Sequence, residues 1–391
     1  MTVTNSLFLP SITGTVKRAY VPRKSWRAVI FWWAWRFQKV FFQLRRNLYR
    51  RIRRLIGQPV PPPWPEVIFP KGPQIWGLPP PALVNRMLES DRKRAITQWE
   101  HEESGWVMPI VSPLTDSKES SAVRRTIFYL YGSGFTDPPI MKWHWAFIGY
   151  LSRWLDAELV VVPYPVGPNN PGPEWRPTLL RIYKEFLANA GDKEIILAGD
   201  SAGSIVCNGL VHELHAAKIP LPHQLVIISP AFDLQLPRSA DMKAIEPCDN
   251  MLTVERCHHM LRVYAGIPVP QSTVLAQQVH TIPLPTEFTS NPCFSAGAGD
   301  PSIFREAGTK VIIANGEWDV LFPEADSYIE RLAAAEVDAT YIVGEKQFHI
   351  FPVAVGATPE CTVAADIVVE AILKNGEEFH RKRSTMQPKS L

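Results

Sequence analysis

After residue 124 the chain carries six short runs of apolar, mostly β-branched residues: 125–131 (RTIFYLY), 159–164 (LVVVPY), 194–199 (EIILAG), 224–229 (QLVIIS), 310–315 (KVIIAN) and 339–344 (ATYIVG). None of them alternates with polar residues as a strand with one wet face would, so both faces are expected to be buried. Stretches of helical period lie between them, which predicts a mostly parallel sheet covered by helices on both sides. The runs recur at the spacing of β-α-β units, except for a gap of roughly 80 residues between Ile228 and Lys310. Within that gap, residues 253–266 (TVERCHHMLRVYAG) space Val254, Cys257 and Leu261 helically and stop at Gly266. The pattern predicts a helical cap, inserted at about 235–300, over the C-terminal edge of the sheet.

The N-terminal pattern differs. Between residues 25 and 57 apolar residues fall at Ile30, Trp33, Phe37, Phe41, Leu44, Leu48, Ile52 and Leu55, steps of three and four that define one helical face. Arg46, Arg50, Arg53 and Arg54 lie mostly off that face. This is the composition of a helix lying in a membrane interface; a cap helix packed on the body and an Arg-rich mitochondrial presequence are the competing readings. The uninterrupted apolar run, Ala28 to Trp35, is too short to span a bilayer, which takes roughly 20 residues. Ten prolines between Pro59 and Pro81 then allow neither a helix nor an inner strand. The chain accordingly divides into a basic amphipathic helix (1–57), a Pro-rich connector and cap segment (58–95), a catalytic-sized domain (96–375) and a polar tail (376–391). The tail's last residues do not match the peroxisomal signal.

Charge sharpens this division. Of 41 Lys and Arg, 13 lie in residues 1–65, which hold no Asp or Glu, leaving 28 basic against 38 acidic residues in the body. An acidic body excludes nucleic acid as the expected partner. Five cysteines, odd in number and without a CxxC pair, predict neither a disulfide framework nor a zinc site. The expected location is intracellular, peripheral on a membrane such as the endoplasmic reticulum, with the mitochondrion as the alternative. Cys257-His258-His259 and the pair His212 and His215 lack matching ligand sets, so no metal is expected. Trp143, His144, Trp145 and Phe147 read as a core or cap contact before a pocket lining.

The candidate chemistry begins at Gly199-Asp200-Ser201-Ala202-Gly203, followed by SIVCNGLVHELHAAK with Val206, Leu210 and Leu214 on one helical face. G-x-S-x-G between a strand and a helix is the context of a nucleophile elbow. A serine in so tight a turn needs neighbours without Cβ, and its hydroxyl then stands exposed at the helix N-terminus. A serine hydroxyl is a poor nucleophile at neutral pH, so a carboxylate and a base must follow, in the order Ser, Asp, His. Asp319 lies just past the run KVIIAN, with Glu317 as the competing acid, and His349 follows the last run. Both would emerge on the same sheet edge as Ser201. Strand RTIFYLY ends in Tyr131-Gly132-Ser133-Gly134-Phe135, a glycine-rich turn whose amides would face a developing oxyanion beside that of Ala202.

With these motifs in order, the chain resembles the hormone-sensitive-lipase-like branch of the α/β-hydrolases. YLYGSGF stands in place of that family's HGGGF and VVPYPVGPNNPGPEWRP in place of its YRLAPE-type segment, with GDSAGS, NGEWDVLFPEA and QFHIF completing the set over roughly residues 100–375. The resemblance implies an α/β-hydrolase fold and catalysis by Ser201, Asp319 and His349 without a cofactor. It also implies oxyanion amides from Ser133, Gly134 and Ala202, and a cap formed by the N-terminal region with residues 235–300. The implied reaction is hydrolysis of a small hydrophobic ester or lactone; acyl transfer or cyclisation, and a catalytically silent ligand-binding module, are the alternatives. Two departures stand out: Tyr131 replaces the family's His and Ser133 its middle Gly. A left-handed backbone at Ser133 would cost on the order of 1 kcal/mol relative to glycine.

Overall fold

The computed structural model describes residues 8–9, 15–55, 94–113, 125–137, 141–267 and 283–373. The Pro-rich connector up to residue 93, residues 268–282 of the cap insertion and the tail 376–391 lie outside the described residues.

In chain order the strands are β1 (Phe8–Leu9), β2 (Val16–Val21), β3 (Arg94–His101), β4 (Trp106–Pro113), β5 (Arg125–Leu130), β6 (Ala157–Val162), β7 (Glu194–Asp200), β8 (Gln224–Ile228), β9 (Lys310–Gly316) and β10 (Ala339–Gly344). They form one sheet in the order β1-β2-β10-β9-β8-β7-β5-β6-β4-β3. From β2 to β6 every pairing is parallel, while β1 and the β3–β4 hairpin are antiparallel additions at the two edges. The six continuous apolar runs are β5 to β10, and β8 and β10 are buried along their whole length. Such strands are covered on both faces, and in this topology helices are what covers them.

The N-terminal segment holds more than its helix. Val16–Val21 pairs with Ala339–Gly344 residue for residue, so a strand within the first 57 residues belongs to the same sheet as the catalytic-sized domain. Val16, Ala19 and Val21 are buried while Lys17 is exposed, the half-covered character of a strand near an edge, which a search for continuous apolar runs passes over. The β3–β4 hairpin was hidden by Pro109 and Pro113; β4 joins the parallel sheet only through Ile110 and Val111, opposite Val160 and Leu159.

The helices are α1 (Trp26–Leu55), α2 (Met141–Leu155), α3 (Gly172–Ala190), α4 (Ala202–Ala216), α5 (Ser239–Ile245), α6 (Val254–Ala265), α7 (Thr286–Thr289), α8 (Ser302–Ala307), α9 (Phe322–Ala334) and α10 (Pro359–Ile372). α2 packs with α10, and α3 with α4. Between β8 and β9, α6 begins at Thr253, whose hydroxyl accepts from the Arg256 amide, and ends on Gly266 in the left-handed region, φ 72°. Trp145 and Phe147 on α2 are buried in the core, so that aromatic cluster is packing.

Candidate active site

Strand β7 runs into Ser201 and then directly into α4. The turn is held in a strained backbone, φ 50° and ψ −121° at Ser201, outside the basins open to an ordinary side chain and worth about 1–3 kcal/mol. The fold fixes it from several sides. The Ser201 amide donates to the Ile228 carbonyl at the end of β8, 2.8 Å away. A Cβ on Gly203 would collide with the Leu130 carbonyl, and one on Gly132 with the Asp200 carboxylate, so both glycines are close-approach positions. Asp200 itself is wholly buried, accepting from the Tyr129 hydroxyl at 2.5 Å and bonded to His144 Nε2 at 3.1 Å.

The other two sequence-assigned residues meet the serine. His349 Nε2 lies 2.8 Å from Ser201 Oγ, and His349 Nδ1 lies 2.9 Å from Asp319 Oδ2. Both Asp319 and His349 are buried. Asp319 Oδ1 accepts from the Leu321 amide, so the carboxylate cannot swing away from the ring. Glu317, the competing acid, faces elsewhere: its carboxylate takes the Tyr20 hydroxyl of β2 and the Lys346 amide. The two loops are stitched together by Trp318 N–H to the Gln347 carbonyl at 3.0 Å. A serine at the end of β8 completes the clamp, since Ser229 Oγ accepts from the Ile350 amide, next to His349, at 2.8 Å.

A second buried carboxylate lies beside this pair. Asp249 Oδ2 accepts from the Val320 amide, and Oδ1 from the amides of Met251 and Leu252. Burial, then repulsion from Asp319, push its carboxyl up to about 6, an effect that His349 and the amides oppose. For His349, burial works against the charged ring, but Asp319, Asp249 and Asp200 outweigh it, and its pKa is raised above the ordinary 6.5. The site therefore favours an imidazolium, the charge a general base acquires when it takes the serine proton.

The turn after β5 departs from the expected form. Ser133 is not among the left-handed residues; Gly134 (φ 57°) and Phe135 (φ 60°) are. The anticipated strain thus falls on Phe135, whose ring stacks on Tyr264 of α6 at 4.1 Å. Tyr164 donates its one hydroxyl proton to the Tyr131 carbonyl at 2.6 Å. In the 2.9 Å contact between Ser133 Oγ and Tyr164 Oη, Ser133 is then the donor, and its oxygen accepts from the Phe135 amide at 3.1 Å. Tyr131 and Tyr164 also stack at 4.9 Å. Ser133 and the two tyrosines form a relay that pins the loop. Among the described residues, the amides of Ser133, Gly134 and Ala202 are not spent on backbone carbonyls.

Beside Ser201 lies an apolar cavity of about 20 Å³ bounded by Gly134, Phe135, Ala202, Leu236, Met260 and Leu321. That is little more than the ~10–15 Å³ that one water needs. Met260 of α6 sits directly over Gly134. Cys257 also lines this cleft, whereas His212, buried against Gly299, and His258 and His259 on α6 are not among the residues that line it. Burial pushes His212 and His259 down to about 4. The positioning residues His144, Ser229 and Asp249 carry no local motif; Tyr129 and Tyr164 fall within YLYGSGF and VVPYPVGPNNPGPEWRP, but only the fold shows which groups their hydroxyls bind.

The chain matches a known family model, that of the alpha/beta hydrolase fold, over residues 127–353. The chain belongs to the α/β-hydrolase fold family. This α/β-hydrolase is 26% identical over 148 residues to an esterase of Acinetobacter venetianus, a match taking in 38% of the present chain and 48% of that esterase, so it spans about half the relative's length. Among solved structures it is similar to a hormone-sensitive lipase from a metagenome library (21% identity, TM-score 0.56, covering 74% of this chain and 89% of that one). It is also similar to an esterase of the bacterial hormone-sensitive lipase family (20% identity, TM-score 0.57, covering 76% and 88%). At that identity the likeness carries the fold.

Proposed function

We propose that this α/β-hydrolase is a serine carboxylic ester hydrolase acting on a small hydrophobic ester or lactone through an acyl-enzyme on Ser201. The observation that carries the reading is the continuous chain Asp319 to His349 to Ser201, at 2.9 and 2.8 Å, ending at a strained serine beside unspent amides. In the first step Ser201 Oγ attacks the ester carbonyl while His349 Nε2 takes its proton. Asp319 holds the ring with Nδ1–H toward it, and the charge that develops is favoured by the carboxylates that raise the His349 pKa. The amides of Ser133, Gly134 and Ala202 receive the oxyanion, a contribution commonly worth about 3–4 kcal/mol per donor. His349 then protonates the leaving alcohol, and water releases the acyl group by the same path in reverse. No cofactor enters any step.

The apolar walls of the cavity favour a hydrophobic ester, met in solution or at a membrane surface. Product analysis with a panel of acetate esters and lactones, with and without a competing alcohol, tests the reading. Free acid as the dominant product supports hydrolysis; a transesterified product replacing it would establish acyl transfer instead. Failure to turn over any ester while binding one would point to a ligand-binding module.

A further inference from the structure

Helix α1 is 30 residues long, about 45 Å at 1.5 Å per residue, with nine Lys or Arg and no Asp or Glu. Its two faces have separate surroundings. At 100° per residue, Ala28, Phe31, Trp32 and Trp35 share one side, and that side meets the body. Phe31 and Trp35 pack on Phe348 at 5.4 and 5.7 Å, Trp32 packs on Trp318 at 5.1 Å, and Trp32 Nε1 donates to the Cys248 carbonyl. On the opposite side lie Trp33, Phe37, Leu44, Leu48, Ile52 and Leu55, each between 47% and 85% exposed. A soluble monomer rarely leaves so long an apolar stripe uncovered. Among the described residues no helix is long and apolar enough to cross a membrane.

We propose that α1 lies in the surface of an anionic lipid bilayer, its exposed stripe sunk among the acyl chains and the enzyme body carried on its opposite face. The charge decides the partner. A second copy of α1 would set nine cations against nine with no acid to relieve them, whereas an anionic bilayer neutralises them while long basic side chains reach up to the headgroups. The face away from the lipid is the one that braces the triad: Phe348 precedes His349 and Trp318 precedes Asp319. Docking therefore holds the loops of the base and the acid close to the lipid. Resting on the ester-hydrolase reading, this makes lipid-dissolved ester the substrate that α1 delivers.

The test uses the full chain and a Phe37→Glu, Leu44→Glu, Leu48→Glu variant, whose three sites touch no catalytic group. Each is sedimented with phosphatidylcholine vesicles, neutral or containing one fifth phosphatidylserine, and assayed on a soluble aryl acetate and on a long-chain ester dissolved in the vesicles. The native chain is expected to partition to the anionic vesicles about tenfold more strongly than to neutral ones, and the variant to lose that tenfold. Its rate on the soluble ester stays unchanged, while its rate on the vesicle-borne ester falls by about the same tenfold factor. Equal partitioning of the two proteins overturns the proposal, as does a native dimer that the variant dissolves without any vesicle binding. Binding lost in the variant, with neither protein hydrolysing an ester, would uphold the lipid surface and sink only the enzymatic reading.

Discussion

Ser133 shows how a substitution within a glycine turn can be absorbed. Its backbone stays out of the left-handed region, and its hydroxyl links the Phe135 amide to Tyr164, which in turn holds the Tyr131 carbonyl. Ser133→Ala breaks this relay while keeping the oxyanion amide. We expect kcat to fall about tenfold with KM nearly unchanged, and stability to drop by about 1–2 kcal/mol, read by urea titration. His349 gives the pH dependence. The reaction needs a neutral ring, and the neighbouring carboxylates raise its pKa. kcat/KM should therefore rise with pH through an apparent value above 6.5 and level off beyond it. Asp249→Asn removes one of those charges and should move this acid limb to lower pH; a limb that does not move would deny Asp249 its electrostatic role. Because the two groups are close and buried, the limb belongs to the pair.

Elements set the shape of the site. The cap helix α6 is tied to the body by Arg176 of α3, which donates to Glu213 of α4 at 2.7 Å and to the Tyr264 hydroxyl at 2.6 Å. Arg176→Ala strands a part-buried carboxylate and should destabilise the fold by about 3 kcal/mol, measured by thermal or denaturant unfolding. Met260, on the same helix, fills the space over Gly134. Met260→Ala should raise kcat/KM for a butanoate relative to an acetate by about tenfold, on the order expected for room gained by one or two methylenes. The six central strands were legible in the sequence because strands buried on both faces are apolar throughout. β2, β3 and β4 were not, since edge strands carry charge and proline. That Ser201, Asp319 and His349 would come together was legible because each lies on the stretch just past the C-terminal end of a strand. Asp249, His144 and Ser229 were not, because their roles come from contacts across the fold: Asp249 holds the amide of Val320, 71 residues away.

At the scale of the whole molecule, the chain is a mostly parallel sheet whose C-terminal edge gathers Ser201, Asp319 and His349, the residues of the proposed triad, closed by α6 on one side and braced by the aromatic face of α1 on another. The N-terminal segment belongs to this body through β2 as well as reaching beyond it through the rest of α1, so removing residues 1–57 would cost the sheet two strands, β1 and β2. The stripe variant, which leaves β2 in place, is accordingly the informative change. Chemistry at Ser201 is the claim on which the rest depends. The most direct measurement is intact-mass analysis, with peptide mapping, of the native chain and the Ser201→Ala variant after exposure to a fluorophosphonate. One adduct on the native chain, mapped to Ser201 and missing from the variant, is the predicted result; an unmodified native chain, or an adduct that persists in the variant, would contradict it.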